Sequence, residues 1–502
     1  MAGVEKSIFE YFEKYAAECG KNLFLFDEER SYTVEETFHE AVAIGNRLHD
    51  FGVRPGSRAA LRSTRSLDAY LIFLALEFMG ATAVLTDPHQ TAESYLWETG
   101  IPIQADVVIT NEDAANGISA NGDWEVLGHG PLEIGCPARR EERRFSVGSD
   151  LRAPAVIVFT SGSTGKSKGS MLSQEALLQY AEDSIVYDWH HPDDVAIVTL
   201  PTNHAFALCL LVTAFVARYA LFFPRDMRAD YVLECIERYR ITRMNGVPSY
   251  FYLLARTNEA QNRDLSSLRT GFTAGAPIIP EQHHYIEQVL GMVLHPLYGM
   301  SESISISCTS PLDPAECRAT TVGRFHRDAG CILDADGNEL PRGQEGEICL
   351  SGPAVMCGYY GDDEATRQAI DEKGRLHTGD LGYLDEDGYL HISGRLKDII
   401  IRNGINLSPA KIERAIRCVP EVEDAAVVGV RHEVLGEAPC ALVVLREGCE
   451  MTAEDLKKQL FSRMAKNEVP VTVLFGAEIP LGKTGKPDKQ KVKEMFWEWK
   501  VL

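Results

Sequence analysis

The sequence predicts an α/β protein, and three observations carry that reading. Apolar runs of strand length alternate with amphipathic stretches from the N-terminus to about residue 300. Beyond residue 320 the pattern changes to short hairpins around acidic, Gly-containing turns, and after Gly394 a compact final unit follows. At 502 residues the chain is also too long for one hydrophobic core, so two or more domains are expected. Charge places the boundary. Residues 398–502 hold 16 Lys+Arg and 16 Asp+Glu, so the whole formal charge of −23 lies before them. The expected division is residues 1–396 against 397–502.

The elements follow in order. Ile8, Tyr11, Phe12, Tyr15 and Ala16 share one face at helical spacing. Thr33-Val-Glu-Glu36 has the form of a capping box opening a helix to about Asp50. "GVRPG" (52–56) turns the chain into a strand, and residues 71–79 read as another helix. Ala155-Val-Ile-Val158 reads as a buried strand. "ILDADGNEL" (332–340) and "YLDEDGYLHI" (383–392) each read as strand, turn, strand; neither completes a calcium loop with its closing Glu. The last unit offers a helix at 409–416 and a strand at 425–430.

Composition excludes several classes. With 45% hydrophobic and 25% charged residues the chain has the make-up of a globular protein. Its negative charge argues against nucleic acid or an anionic membrane as partner. Twelve cysteines show no C-x-x-C pair or zinc spacing. Neither a signal peptide nor an apolar run of 18 residues is present, so the sequence predicts a cytoplasmic protein without a membrane span.

The chemistry begins at "FTSGSTGKSKGS" (159–170), with three glycines, six hydroxyl residues and two lysines in twelve positions. A kinase-type P-loop fails in register, because it needs Gly at Thr160 for one "GKS/T" and at Ala477 for the other. The physics of an anion loop survives: backbone N–H groups freed by glycine converge on phosphate, hydroxyls add donors and Lys168 adds charge. A flexible Gly/Ser surface loop is the competing reading.

Six further segments decide between them: "LPTNHAF" (200–206), "TAGAPI" (273–278), "YGMSES" (298–303), "HTGDLG" (377–382), "GRLKDIIIRNGINLSPAKIE" (394–413) and "PLGKTGKPDK" (480–489). In this order, over roughly residues 5 to 493, they resemble the adenylate-forming superfamily of acyl- and aryl-CoA ligases, peptide-synthetase adenylation domains and firefly-type luciferases. The resemblance implies a large N-terminal ATP- and acid-binding domain of two α/β sheet lobes plus a small β-rich lobe. A small, mobile C-terminal α+β lid would follow. It also implies two half-reactions: carboxylate plus ATP to acyl-adenylate and pyrophosphate, then displacement of AMP by a thiol.

By that resemblance Thr160, Ser161, Gly162, Ser163, Thr164, Gly165 and Lys168 would wrap the β- and γ-phosphates. Ser167 stands where many relatives have Pro, and is expected to loosen the loop; Ser170 stands where an aliphatic is common. Tyr298, followed by Gly299, would lie against adenine, with Gly275, Ala276 and Pro277 as its backbone wall. Ser301 would donate to the α-phosphate, and Glu302 would hold Mg²⁺ with ATP. Asp380 would accept from the ribose hydroxyls and Arg395 would reach the ribose or α-phosphate. His204 would border the acid site. Lys486 would bridge carboxylate and α-phosphate as the main catalytic charge, and Lys397 would be the hinge of the lid. No role is attached to His377.

"NGINLSPAKIE" looks like the acyl-CoA ligase form of its segment, although Ala410-Lys411 departs from the usual acidic position. The chain ends about nine residues after its lysine cluster, which predicts no fused carrier domain and favours coenzyme A as co-substrate. A separate acyl carrier protein is the alternative acceptor, and a nucleotide-binding kinase or regulator is the alternative of another class. The windows expected to line the acid pocket, 204–210, 246–251, 272–276 and 296–303, are mainly apolar and lack an Asp for an α-amino group. They disfavour amino acids and leave aryl, medium-chain and branched acids open.

Overall fold

The computed structural model describes residues 6–62, 66–86, 105–110, 125–127, 142–148, 150–160, 167–326, 329–403, 405–432, 434–481 and 487–496. It is a mixed α/β structure that divides into two compact units, residues 1–330 with 350–376, and 331–349 with 377–502.

The first unit contains two sheets. In the nine-stranded sheet, Val293–Met300, Thr270–Thr273, Arg243–Met244, Val195–Ile197, Ala220–Phe222 and Leu23–Phe26 run parallel in that order. Antiparallel strands close both edges. In the seven-stranded sheet, Pro154–Thr160 lies beside Thr82–Leu85 in parallel, then turns back antiparallel as Lys168–Ser173. Parallel strands buried on both faces read as continuous apolar runs, which is why Ala155–Val158 was legible.

Two helices are apolar all round, Ser66–Met79 and Ala205–Ala217, and both are buried along nearly their whole length. Such helices need protein on every side. The Tyr70 hydroxyl donates to the Leu211 carbonyl at 2.7 Å and ties them together. The expected N-terminal helix is Ile8–Cys19, with Ile8, Phe12 and Tyr15 buried. The Thr33 capping box forms as expected: Glu36 N–H donates to Thr33 Oγ1 at 3.2 Å and Thr33 N–H to Glu36 Oε2 at 2.8 Å.

At the N-terminal strand ends of the large sheet a buried charge network holds the strands together. Arg243, fully buried, pairs with Asp188 and with Asp194 Oδ2 at 3.2 Å, and meets His190 Nδ1 at 2.7 Å. Thr242 Oγ1 donates to Asp194 Oδ1 at 2.6 Å, Arg269 pairs with the same carboxylate, and Thr270 Oγ1 meets His295 Nε2 at 2.7 Å. Next to Thr270, Gly271 lets two strands close: a Cβ there would stand 1.8 Å from the Met244 carbonyl oxygen.

The second unit holds a four-stranded sheet in the order Gly330–Leu333, Gly346–Leu350, Leu376–Leu384, Leu390–Arg395. A five-stranded sheet follows, built on the long hairpin Val422–His432 with Gly436–Leu445 and packed against the helix Pro409–Arg417. Both acidic turns are hairpin devices. Asp385 Oδ1 accepts the N–H of Asp387 and Tyr389, and Asp334 Oδ1 that of Asp336 and Asn338. The second arm of the 332–340 hairpin is shorter than expected, reduced to the isolated bridge Leu333↔Glu339.

Candidate active site

Four neighbouring parallel strands of the first unit end on the same sheet edge. Their C-terminal continuations are 198–204, 245–248, 274–277 and 301–302. Ligands of open α/β sheets bind at this edge, and all four sequence windows for the acid pocket overlap these continuations. Buried Asn245 ties it together: Thr199 Oγ1 donates to its carbonyl at 2.7 Å, and Phe272 N–H donates to its Oδ1 at 3.1 Å. Gly275 takes φ +86°, which only glycine adopts without strain, and Gly275–Pro277 lie exposed just beyond buried Ala274. His204 is exposed at the N-cap of helix Ala205–Ala217, and its side chain does not cap that helix.

Ser301 and Glu302 form the two-residue tip of the hairpin between Val293–Met300 and Ser303–Cys308, where Met300 pairs Ser303. A register irregularity between Tyr298 and Met300 re-aims this tip. Tyr298 is buried, Ser301 half-buried and Glu302 only 8% exposed.

Glu302 meets a residue the sequence reading missed. The Tyr359 hydroxyl donates to Glu302 Oε1 at 2.7 Å, and Met356 N–H donates to the Glu302 carbonyl at 2.8 Å. Glu302 Oε2 takes no hydrogen bond from the described residues. Burial, reinforced by Glu302, pushes the Tyr359 phenol well above its ordinary value, so it stays a donor. Lys168 Nζ stands 4.8 Å from the centre of the same ring. Tyr359 reaches both because Gly358–Tyr359 pairs antiparallel with Lys168–Ser173, Tyr359 opposite Ser170. "GYYG" (358–361), glycines flanking two aromatics, was the available signal.

Thr160 faces Lys168 across the hairpin that carries the Gly-rich loop. Ser161, Gly162, Ser163, Thr164 and Gly165, with Lys486, lie outside the described residues.

In the second unit Asp380 and Arg395 are direct cross-strand partners, and Arg395 Nε stands 2.7 Å from Asp380 Oδ1. The turn before Asp380 is held by Glu347, also missed. Its Oε1 accepts the Gly379 N–H at 3.0 Å, and its Oε2 meets His377 Nδ1 at 2.7 Å. Thr378 Oγ1 donates to the Ile348 carbonyl at 2.7 Å and accepts the Asp380 N–H at 3.0 Å. His377 therefore has a structural contact where the sequence suggested none. Lys397 sits in a single 3₁₀ turn, Leu396–Asp398. Burial, then Arg395, lowers its ammonium from the ordinary value.

This arrangement agrees with what the chain resembles in sequence. Residues 12–360 match the AMP-binding enzyme family and residues 411–486 the AMP-binding enzyme C-terminal domain. The chain belongs to the AMP-binding enzyme family. This is the adenylate-forming superfamily that its motifs resembled. Among relatives of this AMP-binding enzyme, a sulfoacetate–CoA ligase of Cupriavidus necator is 34% identical over 342 residues, 68% of this chain and 67% of that protein. A 2-succinylbenzoate–CoA ligase of Bacillus thuringiensis subsp. konkukian is 29% identical over 476 residues, 94% of this chain and 95% of that protein. Both are named as CoA ligases, that is, AMP-forming acid–thiol ligases. The solved structure of the amide bond synthetase McbA from Marinactinospora thermotolerans superposes with TM-score 0.87 at 28% identity, covering 97% of this chain and 99% of that one. No helix among the described residues is long and apolar enough to cross a membrane.

Proposed function

We propose that the protein is a cytoplasmic, ATP-dependent carboxylic acid–CoA ligase working through an acyl-adenylate. A carboxylate oxygen attacks the α-phosphorus of ATP, and the bond to pyrophosphate breaks. The coenzyme A thiol, giving up its proton, then attacks the acyl carbon, and AMP leaves. Activation is required because a carboxylate has no good leaving group, whereas an acyl-adenylate does. The protein's task is to align two anions and neutralise developing charge.

The observation that carries the reading is the meeting of Glu302, Tyr359 and Lys168 beside the hairpin of the Gly-rich loop, in a chain of this family. Glu302 fits magnesium, with one oxygen anchored by Tyr359 and the other taking no hydrogen bond from the described residues. Mg²⁺ needs only one or two carboxylates beside phosphate oxygens, and when bound it would offset phosphate charge. In this reading Thr160–Lys168 hold the β- and γ-phosphates, Tyr298 and Gly275–Pro277 the adenine, and Ser301 the α-phosphate. Asp380 and Arg395 hold the ribose, His204 borders the acid, and Lys486 aligns the reacting carboxylate. Lys397 is the hinge on which residues 397–502 turn between half-reactions.

Mass spectrometry tests it: the purified protein is incubated with Mg·ATP, coenzyme A and a pool of aliphatic, aromatic and bile-type carboxylates. A new acyl-CoA with AMP is the expected result and names the acid class. Acyl-adenylate without acyl-CoA transfers the reading to a carrier-protein acceptor, and ADP in place of AMP overturns it.

A further inference from the structure

Resting on the reading of Glu302 as the carboxylate beside magnesium and phosphate, we infer that Tyr359 is a positioning residue. It fixes the rotamer of Glu302 through its hydroxyl and the place of the Lys168 ammonium through its ring.

Tyr359 is firmly held. Its N–H donates to Thr366 Oγ1 at 2.9 Å, and that hydroxyl donates to the Asp362 carbonyl at 2.8 Å. Asp362 in turn caps the helix Asp363–Ala369. Gly358 has φ +141°, and a Cβ on it would stand 2.9 Å from Thr366 Cγ2, so the bend before Tyr359 requires glycine. On the far side Tyr360 N–H donates to the Gly169 carbonyl at 2.8 Å and Arg58 Nη1 donates to the Tyr360 hydroxyl at 2.9 Å. Backbone and neighbours thus leave the Tyr359 ring little freedom.

That ring acts in two directions. Opposite Ser170, it shares a sheet face with Lys168 two residues away, the diagonal spacing at which long and aromatic side chains meet. A cation over an aromatic face is attracted to it and held in place by it. The hydroxyl donates to one oxygen of Glu302 and leaves the other oxygen for a ligand. Glu302 lies 57 residues away in sequence, at a hairpin tip. The contact therefore ties the tip to the strand Gly358–Tyr359, which pairs with the strand that leaves the Gly-rich loop, so both groups facing phosphate share one reference point. A carboxylate at a two-residue tip has several rotamers, and the hydroxyl selects one.

Full-length Y359F, Y359L and E302Q are compared with the parent chain. Calorimetric titration with ATP at stepped Mg²⁺ concentrations reads binding without turnover, and pyrophosphate–ATP exchange reads the KM for pyrophosphate. Y359F is expected to raise the Mg²⁺ concentration for half-maximal ATP binding about tenfold, the size of effect for one hydrogen bond to a charged acceptor. It should leave the KM for pyrophosphate unchanged. Y359L should add a several-fold rise in that KM, because the ring beside Lys168 is gone. If E302Q loses its Mg²⁺ dependence while Y359F keeps the parental curve, the inference is overturned and Glu302 retains its role. A parental Mg²⁺ curve in E302Q overturns the reading of Glu302 and the inference with it. A lower melting temperature in Y359F with an unmoved Mg²⁺ curve marks a merely structural contact and also overturns it.

Discussion

Ser170 is completely buried opposite Tyr359, and its hydroxyl finds no hydrogen-bond partner among the described residues. An unpaired buried hydroxyl carries its desolvation penalty without return. Ser170→Ala is therefore expected to stabilise the protein by about 1 kcal/mol, read as a higher calorimetric melting temperature; a drop would mean that the hydroxyl binds something. Glu302→Gln keeps the shape and loses the charge, and should lower the rate of adenylate formation roughly 10²-fold. Lys486→Ala should abolish adenylation yet still transfer a supplied acyl-adenylate to coenzyme A, which single-turnover assays separate. Glu302 and Asp380 were singled out in the sequence by their immediate neighbours. Tyr359 and Glu347 were not. Their partners lie 57 and 30–32 positions away, and only the fold brings those distances to hydrogen-bond length.

At the scale of elements the local codes were the reliable ones. The Thr33 capping box and the Asp385 turn are written in adjacent residues and form as read. The acidic turn at 334–337 was equally readable, but the length of its second strand depends on pairing and was not. Two substitutions test element-level claims. Gly271→Ala pushes a methyl against the Met244 carbonyl in the middle of the large sheet. It should destabilise by about 1–3 kcal/mol, visible as a lower unfolding midpoint. Lys397→Pro fixes φ in the 3₁₀ turn Leu396–Asp398 and disfavours the helical conformation of Leu396 before it. Stopped-flow measurement is expected to show near-normal adenylate formation and slowed thioester formation. Equal slowing of both would remove Lys397 from the hinge role.

For the molecule as a whole, the alternation of strands and helices gave the α/β class, and chain length pointed to more than one core. The buried charge network was not visible, because nothing beside Asp188, His190, Asp194, Arg243 or His295 in the sequence marks them as one another's partners. It makes stability depend on pH. Burial, with Arg243, lowers the pKa of His190 to about 4, and burial lowers that of His295 to about 4. The unfolded chain takes up these protons near the ordinary value of 6.5 and the folded one does not. Stability should hold above that value and fall as pH drops from about 6.5 toward 4. Burial would raise the Asp188 and Asp194 carboxyls, but Arg243 together with the neighbouring charges and hydrogen bonds outweighs it and holds both below their ordinary range. Their contribution is therefore lost only at still lower pH. Melting temperatures between pH 8 and 4.5 check this, and a curve flat to pH 5 would contradict it.

The same network has a practical meaning for anyone redesigning the enzyme. It fastens the large sheet at the end opposite the C-terminal strand ends, where the proposed acid opening lies. On the proposed reading, libraries confined to 246–251 and 272–276 should exchange one acid for another while the scaffold tolerates the change. Lesions around Arg243 will register in expression yield and heat tolerance, and variants at the opening will register in which acid is consumed.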